Sequence, residues 1–328
     1  MEEVKNKSIK LTAYVIDNDE IGKKYSSLYD NLVVKLSQNQ DADARRMKLN
    51  EKSSEEDLLS DFAVSSNSVY GVMWRIVPSN ELPKIPSDFF KQTTISRDAL
   101  NEKKKEEDQS ENKQEKDNTV KELACKSTHY FVLNQHYLVS DLPQSRIKSL
   151  QVYLNWLLTP YKTDDVIYSF TPKVKSIGNI YLRDIKSIVI GDNTTLNVVP
   201  KKEQEDESHN NRDVAMKVLQ VAQDKLMSML SEDKYLKDIV DKNIVQAQLV
   251  LKIRKPKKKE EADYENILGT TMKPIADTDG ITFQLKNGKP VKGSTIMVTK
   301  DVDVELTSDG LISEKALMFE LLAFLREL

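Results

Sequence analysis

An alternation of side chains between the two faces of the segment Ile244 to Ile253 constrains the fold more than any other pattern in this chain. Val245, Ala247, Leu249, Leu251 and Ile253 fall on one side of an extended backbone. This two-residue period is typical of a strand with one buried face. The opposite face carries these residues: Gln246, Gln248, Val250, Lys252 and Arg254. The segment therefore predicts a half-buried strand whose solvent side is first neutral and then cationic.

A run of basic residues continues from the end of this strand, with Pro256 turning the chain into more lysines. Lysine and arginine neutralise phosphates, and side-chain amides donate neutral hydrogen bonds to phosphate oxygens. We therefore predict DNA phosphate contacts from Lys252, Arg254, Lys255, Lys257, Lys258 and Lys259, with added hydrogen bonds from Gln246 and Gln248. The alternative interpretation is a lysine-rich loop that only keeps the strand end soluble.

A second concentration of positive charge lies between two short predicted strands, at residues 166–170 and 188–190. It consists of Lys173, Lys175, Arg183 and Lys186. We expect these four side chains to form a second phosphate-binding strip.

Composition limits where such a site can lie. The 328 residues carry a formal net charge of −3, with 39% apolar and 31% charged residues. A net acidic chain does not coat nucleic acid over its whole surface, so a polyanion site must come from local clustering. No apolar run approaches a membrane span, and Met1 and Glu2 do not open a signal peptide. The single Cys125 suits a reducing compartment. We therefore expect a cytoplasmic protein without membrane insertion.

Strands and helices follow one another without a regular strand–helix alternation, which predicts an α+β fold with mixed or antiparallel sheets and long amphipathic helices. We expect an N-terminal α+β region at 1–140, a central α+β region with basic strands at 141–260, and a C-terminal hairpin plus helix at 261–328. Discontinuous domains are allowed by this division. The charge-balanced stretch 101–122 has almost nothing to bury, and we expect a solvated helical arm or a disordered insertion there.

Three local signals refine this outline. Ser140 to Pro143 has the pattern of a helix start, and Asn287-Gly288 predicts a hairpin whose return strand is Ser294 to Thr299. Ser313 is expected to cap a final helix. That helix carries a wide apolar stripe, which needs a partner surface within the core or across a dimer. Because two-fold dimers commonly cover such a surface, we predict a homodimer.

The motifs of common enzymes and cofactor sites are missing from the sequence. The sequence contains neither of the glycine-rich phosphate-binding motifs G-x-x-x-x-G-K-[ST] and G-x-G-x-x-G, and it has no G-x-S-x-G nucleophile turn. One cysteine and three scattered histidines do not form a zinc-binding cluster. We therefore expect no cofactor, no resident metal and no catalysis.

Two acidic patterns are weighed against that expectation. Asp301, Asp303 and Glu305 share one face of a predicted strand, either as the solvent side of an edge strand or, alternatively, as ligands of a divalent metal. Asp165, Asp184 and Lys186 imitate a metal-dependent nuclease, in which two carboxylates hold Mg²⁺. In a chain this rich in Asp and Lys such a triplet is also expected by chance.

The order of the elements, with the segments His129 to Leu158 and Gln248 to Lys259, resembles the RexA family of phage exclusion proteins. The strand Val69 to Val77, followed by a charged stretch, is more distantly similar to the RdgC family of recombination-associated proteins. The resemblance implies a cytosolic dimer that holds duplex DNA in a positively charged channel without reading sequence. It further implies a role in phage exclusion, anti-phage defence or recombination control. The chain departs from the pattern in its net acidity and in the stretch 101–122.

The sequence hypothesis is thus a non-enzymatic, sequence-independent binder of double-stranded DNA. A second hypothesis is a protein-interaction subunit of a multi-component anti-phage defence assembly, in which the terminal helix and the charged arm bind another protein. A metal-dependent nuclease is the third.

Overall fold

The computed structural model describes residues 5–18, 27–49, 54–79, 82, 84–97, 99–100, 123–159, 167–191, 248–253, 260–273, 278–307 and 309–328. The chain divides into two compact units. Unit 1 comprises Met1–Leu142, Ser149–Phe170 and Thr299–Leu328, and unit 2 comprises Pro143–Lys148 and Thr171–Val298. The predicted insertion 101–122 lies outside the described residues.

The described α-helices are α1 (Leu28–Leu36), α2 (Ile147–Leu158), α3 (Glu261–Met272), α4 (Gly293–Ile296) and α5 (Glu314–Arg326). Together with antiparallel strands they confirm the α+β class. None of these helices is long and apolar enough to cross a membrane.

Unit 1 is built on an eight-stranded sheet with the order β12-β1-β6-β5-β4-β3-β2, to which β7 adds by pairing with β1. Its strands are β1 (Asn6–Asn18), β2 (Arg46–Lys48), β3 (Glu56–Val64), β4 (Val69–Pro78), β5 (Leu123–Leu133), β6 (Tyr137–Ser140), β7 (Tyr168–Pro172) and β12 (Thr299–Glu305). β5 and β6 pair antiparallel and form a hairpin around Asn134.

Both faces of this sheet are covered where its central strands lie. The consecutive side chains Tyr130, Phe131, Val132 and Leu133 of β5 are all buried, although neighbours on a strand point to opposite sides. Helix α5 packs against β5, β6 and β12, and α1 packs against β4. A strand covered on both sides is apolar continuously, not alternately, and β5 follows that rule.

The final helix begins as predicted, with the Ser313 hydroxyl accepting a hydrogen bond from the Ala316 backbone N–H at 3.3 Å. Its stripe is covered by the helix's own unit: Leu317, Leu321, Phe324 and Leu325 are buried. For these four residues the partner surface is therefore the core of the protein itself and not a dimer interface. The homodimer itself stays a prediction.

Unit 2 contains a four-stranded antiparallel sheet with the order β11-β10-β8-β9. The strands are β8 (Ile185–Gly191), β9 (Gln248–Lys252), β10 (Ile281–Leu285) and β11 (Pro290–Lys292). One face of the sheet joins a hydrophobic core with helix α3, in which Leu268 and Met272 pack with Ile188 and Phe283.

Two local predictions are corrected. Helix α2 begins at Ile147, because Ser140 and Asp141 instead hold the β5–β6 hairpin: the Ser140 hydroxyl donates to the Tyr130 carbonyl at 2.7 Å, and the Asp141 carboxylate accepts from the Tyr130 N–H at 2.7 Å. The hairpin turn at Gly288, which has a φ of 81°, is confirmed. Its return strand, however, is β11 at Pro290–Lys292, because the tight turn reverses the chain at once, and residues 293–296 form α4.

Candidate nucleic-acid interface

The register of the unit 2 sheet defines its two faces. Residues that pair directly across antiparallel strands project from the same side. One row of paired residues consists of Leu251, Ile188, Phe283 and Val291, and it belongs to the hydrophobic core or packs against it. The neighbouring positions on each strand must therefore point to the other side, which we call the open face.

Two rows of side chains make up the open face. The first crosses the sheet through Lys252, Ser187, Gln284 and Pro290, and the second through Val250, Val189, Thr282 and Lys292. Lys252, Lys292 and Pro290 are exposed, and Val250 retains 50% of its accessible surface. This face therefore meets solvent with hydroxyl, amide, small aliphatic and lysine side chains.

Lys186 is exposed next to Ser187 of this face, at an irregularity in β8. The register between β10 and β8 shifts so that Gln284 pairs with Ser187 while Leu285 pairs with Ile185, which leaves Lys186 as an extra residue. Ile185 is buried and Lys186 is exposed. The Lys186 carbonyl accepts a hydrogen bond from the Ile253 N–H at 2.9 Å. Residues from the two predicted strips, Lys186 and Lys252, thus lie on adjacent strands.

The other members of the second strip lie elsewhere in unit 2. The Val298 N–H donates to the Lys173 carbonyl at 2.8 Å, and the Lys175 N–H donates to the Ile296 carbonyl at 2.9 Å. Between them Val174 is buried in the core. The Arg183 guanidinium lies 5.0 Å from the Tyr181 ring centroid. Lys173, Lys175 and Arg183 are therefore not on the strands that form the open face.

Several predicted contacts lie outside the described residues: Gln246, Arg254, Lys255, Lys257, Lys258 and Lys259. Gln248 belongs to β9 and pairs with Gly191. Sequence reasoning missed Lys292, because it placed the return strand of the hairpin at residues 294–299. The length of the turn was the signal that would have found it, since a tight reversal after Gly288 brings Lys292 onto the strand.

Charge separates the two units. Across its described residues, unit 2 has eleven Lys and Arg against six Asp and Glu, a formal charge of +5. The described part of unit 1 has fifteen Lys and Arg residues against seventeen Asp and Glu residues, a formal charge of −2. Acidic side chains in unit 2 partly neutralise this excess, as where Lys286 Nζ lies 2.7 Å from Asp184 Oδ1.

The acidic patterns of the sequence do not assemble a metal site in the part of the chain that is described. Asp184 is paired with Lys286, and Asp165 falls outside the described ranges. Asp301, Asp303 and Glu305 are exposed on β12, which ends the strand order of its sheet, as the edge-strand interpretation predicts. Within the described ranges, no three His, Cys, Asp or Glu side chains are grouped to hold a metal ion.

A cavity of about 710 Å³ lies in unit 1, lined in part by Asp41, Asp43, Asp88, Arg46, Lys84 and Lys91. Arg46 is already engaged, with its guanidinium 2.6 Å from Asp43 Oδ1 and 4.6 Å from the Phe90 ring centroid. Charges of both signs line this cavity, so it offers a polyanion no net attraction.

Comparison of the chain with protein-family models, with curated proteins and with solved structures finds no match.

Proposed function

We propose that unit 2 binds double-stranded DNA without reading its sequence, using the open face and the basic run 254–259 that follows β9. The observation that carries this proposal is that two exposed lysines lie on adjacent strands, Lys252 on the open face and Lys186 beside it. The described positions of that face carry no acidic side chain. Such a surface attracts phosphates and has no fixed negative charge to repel them.

The side chains involved favour backbone contact over base recognition. Lysine is a compact charge on a flexible stem, whereas base readout in the major groove relies on fixed bidentate geometry from Arg, Asn or Gln. A binder of this kind takes its affinity from released counterions. That affinity therefore falls steeply with salt and varies little with sequence.

The biological setting that we propose rests on the resemblance to RexA and RdgC proteins. It is phage exclusion, anti-phage defence or recombination control in the cytoplasm of a bacterium, by a protein of bacterial or phage origin that acts as a homodimer. Pairing two copies would place two basic strips on one assembly, so that avidity offsets the net negative charge of the chain.

Fluorescence anisotropy with labelled duplexes of unrelated sequence tests the DNA proposal. The duplexes should bind with similar affinity, and the log–log slope against salt should be about −0.9 for each phosphate contacted. The double variant Lys186→Glu/Lys252→Glu should bind at least tenfold more weakly. The control Lys315→Glu makes the same type of charge change at an exposed position of α5 and should bind as the wild type does. Unchanged affinity in the double variant would refute the assignment.

The proposed dimer is tested at Phe319, an apolar residue of α5 with 59% of its surface exposed. Light scattering at micromolar concentration should give the mass of a dimer. If α5 is part of the contact, Phe319→Asp should give a folded monomer, since that side chain is not part of its own core. A monomeric wild-type protein would rule out the dimer.

Catalysis is not part of the proposed function. Purified protein with Mg²⁺ or Mn²⁺ should leave plasmid and linear DNA intact over hours. Cleavage that disappears in Asp184→Ala would replace the binding proposal with the nuclease hypothesis.

A protein-interaction role is the second candidate, and an exposed apolar area of unit 1 favours it. Val152 and Trp156 lie one turn apart on α2 and retain 45% and 39% of their surfaces. Asn155 on the same helix hydrogen-bonds the backbone N–H and carbonyl of Tyr168, which follows the exposed Ile167. In a phage-challenge assay, this role predicts that Trp156→Asp loses protection with duplex affinity intact. The DNA-binding role predicts that the double variant Lys186→Glu/Lys252→Glu loses protection against phage.

A further inference from the structure

The open face has a lysine at each edge, and this arrangement suggests how a nucleic acid lies on it. Lys252 projects from β9 at one end of the strand order, and Lys292 projects from β11 at the other. Three strand spacings separate those edges, which is about 14 Å at about 4.8 Å per spacing. Both side chains are exposed.

We propose that the open face lies across the major groove of a duplex, with Lys252 and Lys292 contacting phosphates of opposite strands. This inference rests on the proposed function and adds the groove of the duplex that the face covers and a further contact residue. The major groove of B-DNA is about 12 Å wide and the minor groove about 6 Å. The separation of the two edge lysines therefore matches the phosphate rims of the major groove.

The middle of the open face agrees with contact through the rims and not through the bases. Val189 and Val250 offer no hydrogen bond to a base edge, whereas the amide of Gln284 on β10 is able to form one. Ser187 and Thr282 are short side chains that project from the plane of the sheet. A sheet four strands wide is broader than the groove, so it rests on the rims and keeps these side chains away from the base pairs.

The composition of this face also argues against single-stranded nucleic acid as the ligand. Sheets that bind unpaired bases present aromatic rings on which the bases stack. The described open-face positions of β8, β9, β10 and β11 carry no aromatic side chain, and the aromatic ring of Phe283 points into the core. Because the face has no stacking surface, the two lysines suit a ligand with two rows of phosphates at a fixed separation better than a single strand. A duplex is such a ligand.

The test compares two lysines of one hairpin. Lys292 lies on the open face, whereas Lys289 is exposed at the turn, where its backbone N–H donates to Asn287 Oδ1 at 3.0 Å. Lys292→Glu should weaken duplex binding about tenfold near 0.1 M salt and reduce the salt slope by about 1, as expected for one lost phosphate contact. Lys289→Glu should change neither quantity, and Lys292→Arg should retain wild-type affinity.

The same proteins are then titrated with the single strands of that duplex. Wild-type protein should bind a single strand at least tenfold more weakly than the duplex, and Lys292→Glu should narrow this preference. Urea unfolding of each variant should match the wild type, which separates a binding effect from misfolding.

The outcomes distinguish this inference from the function on which it rests. Duplex binding that depends on Lys252 but not on Lys292 would overturn the groove arrangement and leave the DNA-binding proposal standing. Equal affinity for single and double strands, or an equal loss in Lys289→Glu, would also overturn it. Duplex affinity that depends on neither Lys252 nor Lys186 would overturn both.

Discussion

The two sheets of this protein differ in how their faces are used. The eight-stranded sheet of unit 1 has central strands that are buried on both sides, while the four-stranded sheet of unit 2 is buried on one side and open on the other. Both are antiparallel, so strand pairing does not explain the difference. The distribution of side chains along each strand does. β5 carries the apolar residues Tyr130, Phe131 and Val132 in succession. On β9, Val250 and Lys252 point to one side of the sheet and Leu251 points to the other.

The two units also differ in the solvent exposure of particular positively charged side chains. Unit 1 buries Arg45 almost completely, and its guanidinium donates to the carbonyls of Leu59 and Gln40 at 3.1 and 2.6 Å. Burial lowers the pKa of this arginine. In unit 2, Lys186, Lys252 and Lys292 remain in water. A buried cation satisfied by carbonyls holds a fold together, whereas solvated lysines are available to a ligand.

The largest expected effect is on the stability of the covered sheet. Leu321→Ala removes a fully buried side chain of α5 and should lower the free energy of unfolding by about 2–5 kcal/mol. Val250→Ala on the open face should change it by less than about 0.5 kcal/mol. Urea denaturation followed by circular dichroism measures both. Similar losses from the two substitutions would mean that the open face is covered after all.

The next largest effect is on DNA affinity. Replacing Lys257, Lys258 and Lys259 by Glu should weaken duplex binding by about two orders of magnitude near 0.1 M salt, because three phosphate contacts are lost together. The unfolding midpoint in urea should stay at the wild-type value, because lysine side chains are seldom part of a hydrophobic core. Wild-type affinity in this variant would remove the basic run from the interface.

A smaller effect concerns the stability that unit 2 loses by partly burying a lysine, Lys148, close to a second lysine. Burial, and secondly repulsion from Lys273, lowers the pKa of Lys148 to about 8, against about 10.4 for an unfolded lysine. Between these two values the unfolded chain binds more protons, so this lysine makes stability rise with pH. Below pH 8 its destabilising effect is fully present.

Lys148→Met should therefore be more stable than the wild type at pH 7, and the difference should shrink as the pH rises from 8 to 10. Lys175→Met, which removes an exposed lysine of the same unit, should show no such trend. Urea unfolding at several pH values gives the comparison. A pH-independent difference for Lys148→Met would show that the charge of this lysine is not the cause.

The contrast between the sheets was partly visible in the sequence. The alternation before Ile253 predicted the half-buried strand and placed Lys252 on its solvent side, because a two-residue period is a local property of the chain. The pairing of Ile9 with Val302 was not encoded in any local period, since the two residues are far apart in sequence. The position of Lys186 depends on an irregular strand register, and the position of Lys292 depends on the length of a turn. Both features are settled by tertiary pairing, which periodicity does not report.

Lysine footprinting shows whether DNA binds to the open face of unit 2. The protein is acetylated under limiting conditions with and without a saturating duplex, and each lysine is quantified by mass spectrometry. We predict protection of Lys186, Lys252 and Lys292, with Lys289 and Lys315 modified at the same rate in both samples. Protection of Lys315 with unchanged modification of Lys186, Lys252 and Lys292 would contradict the account.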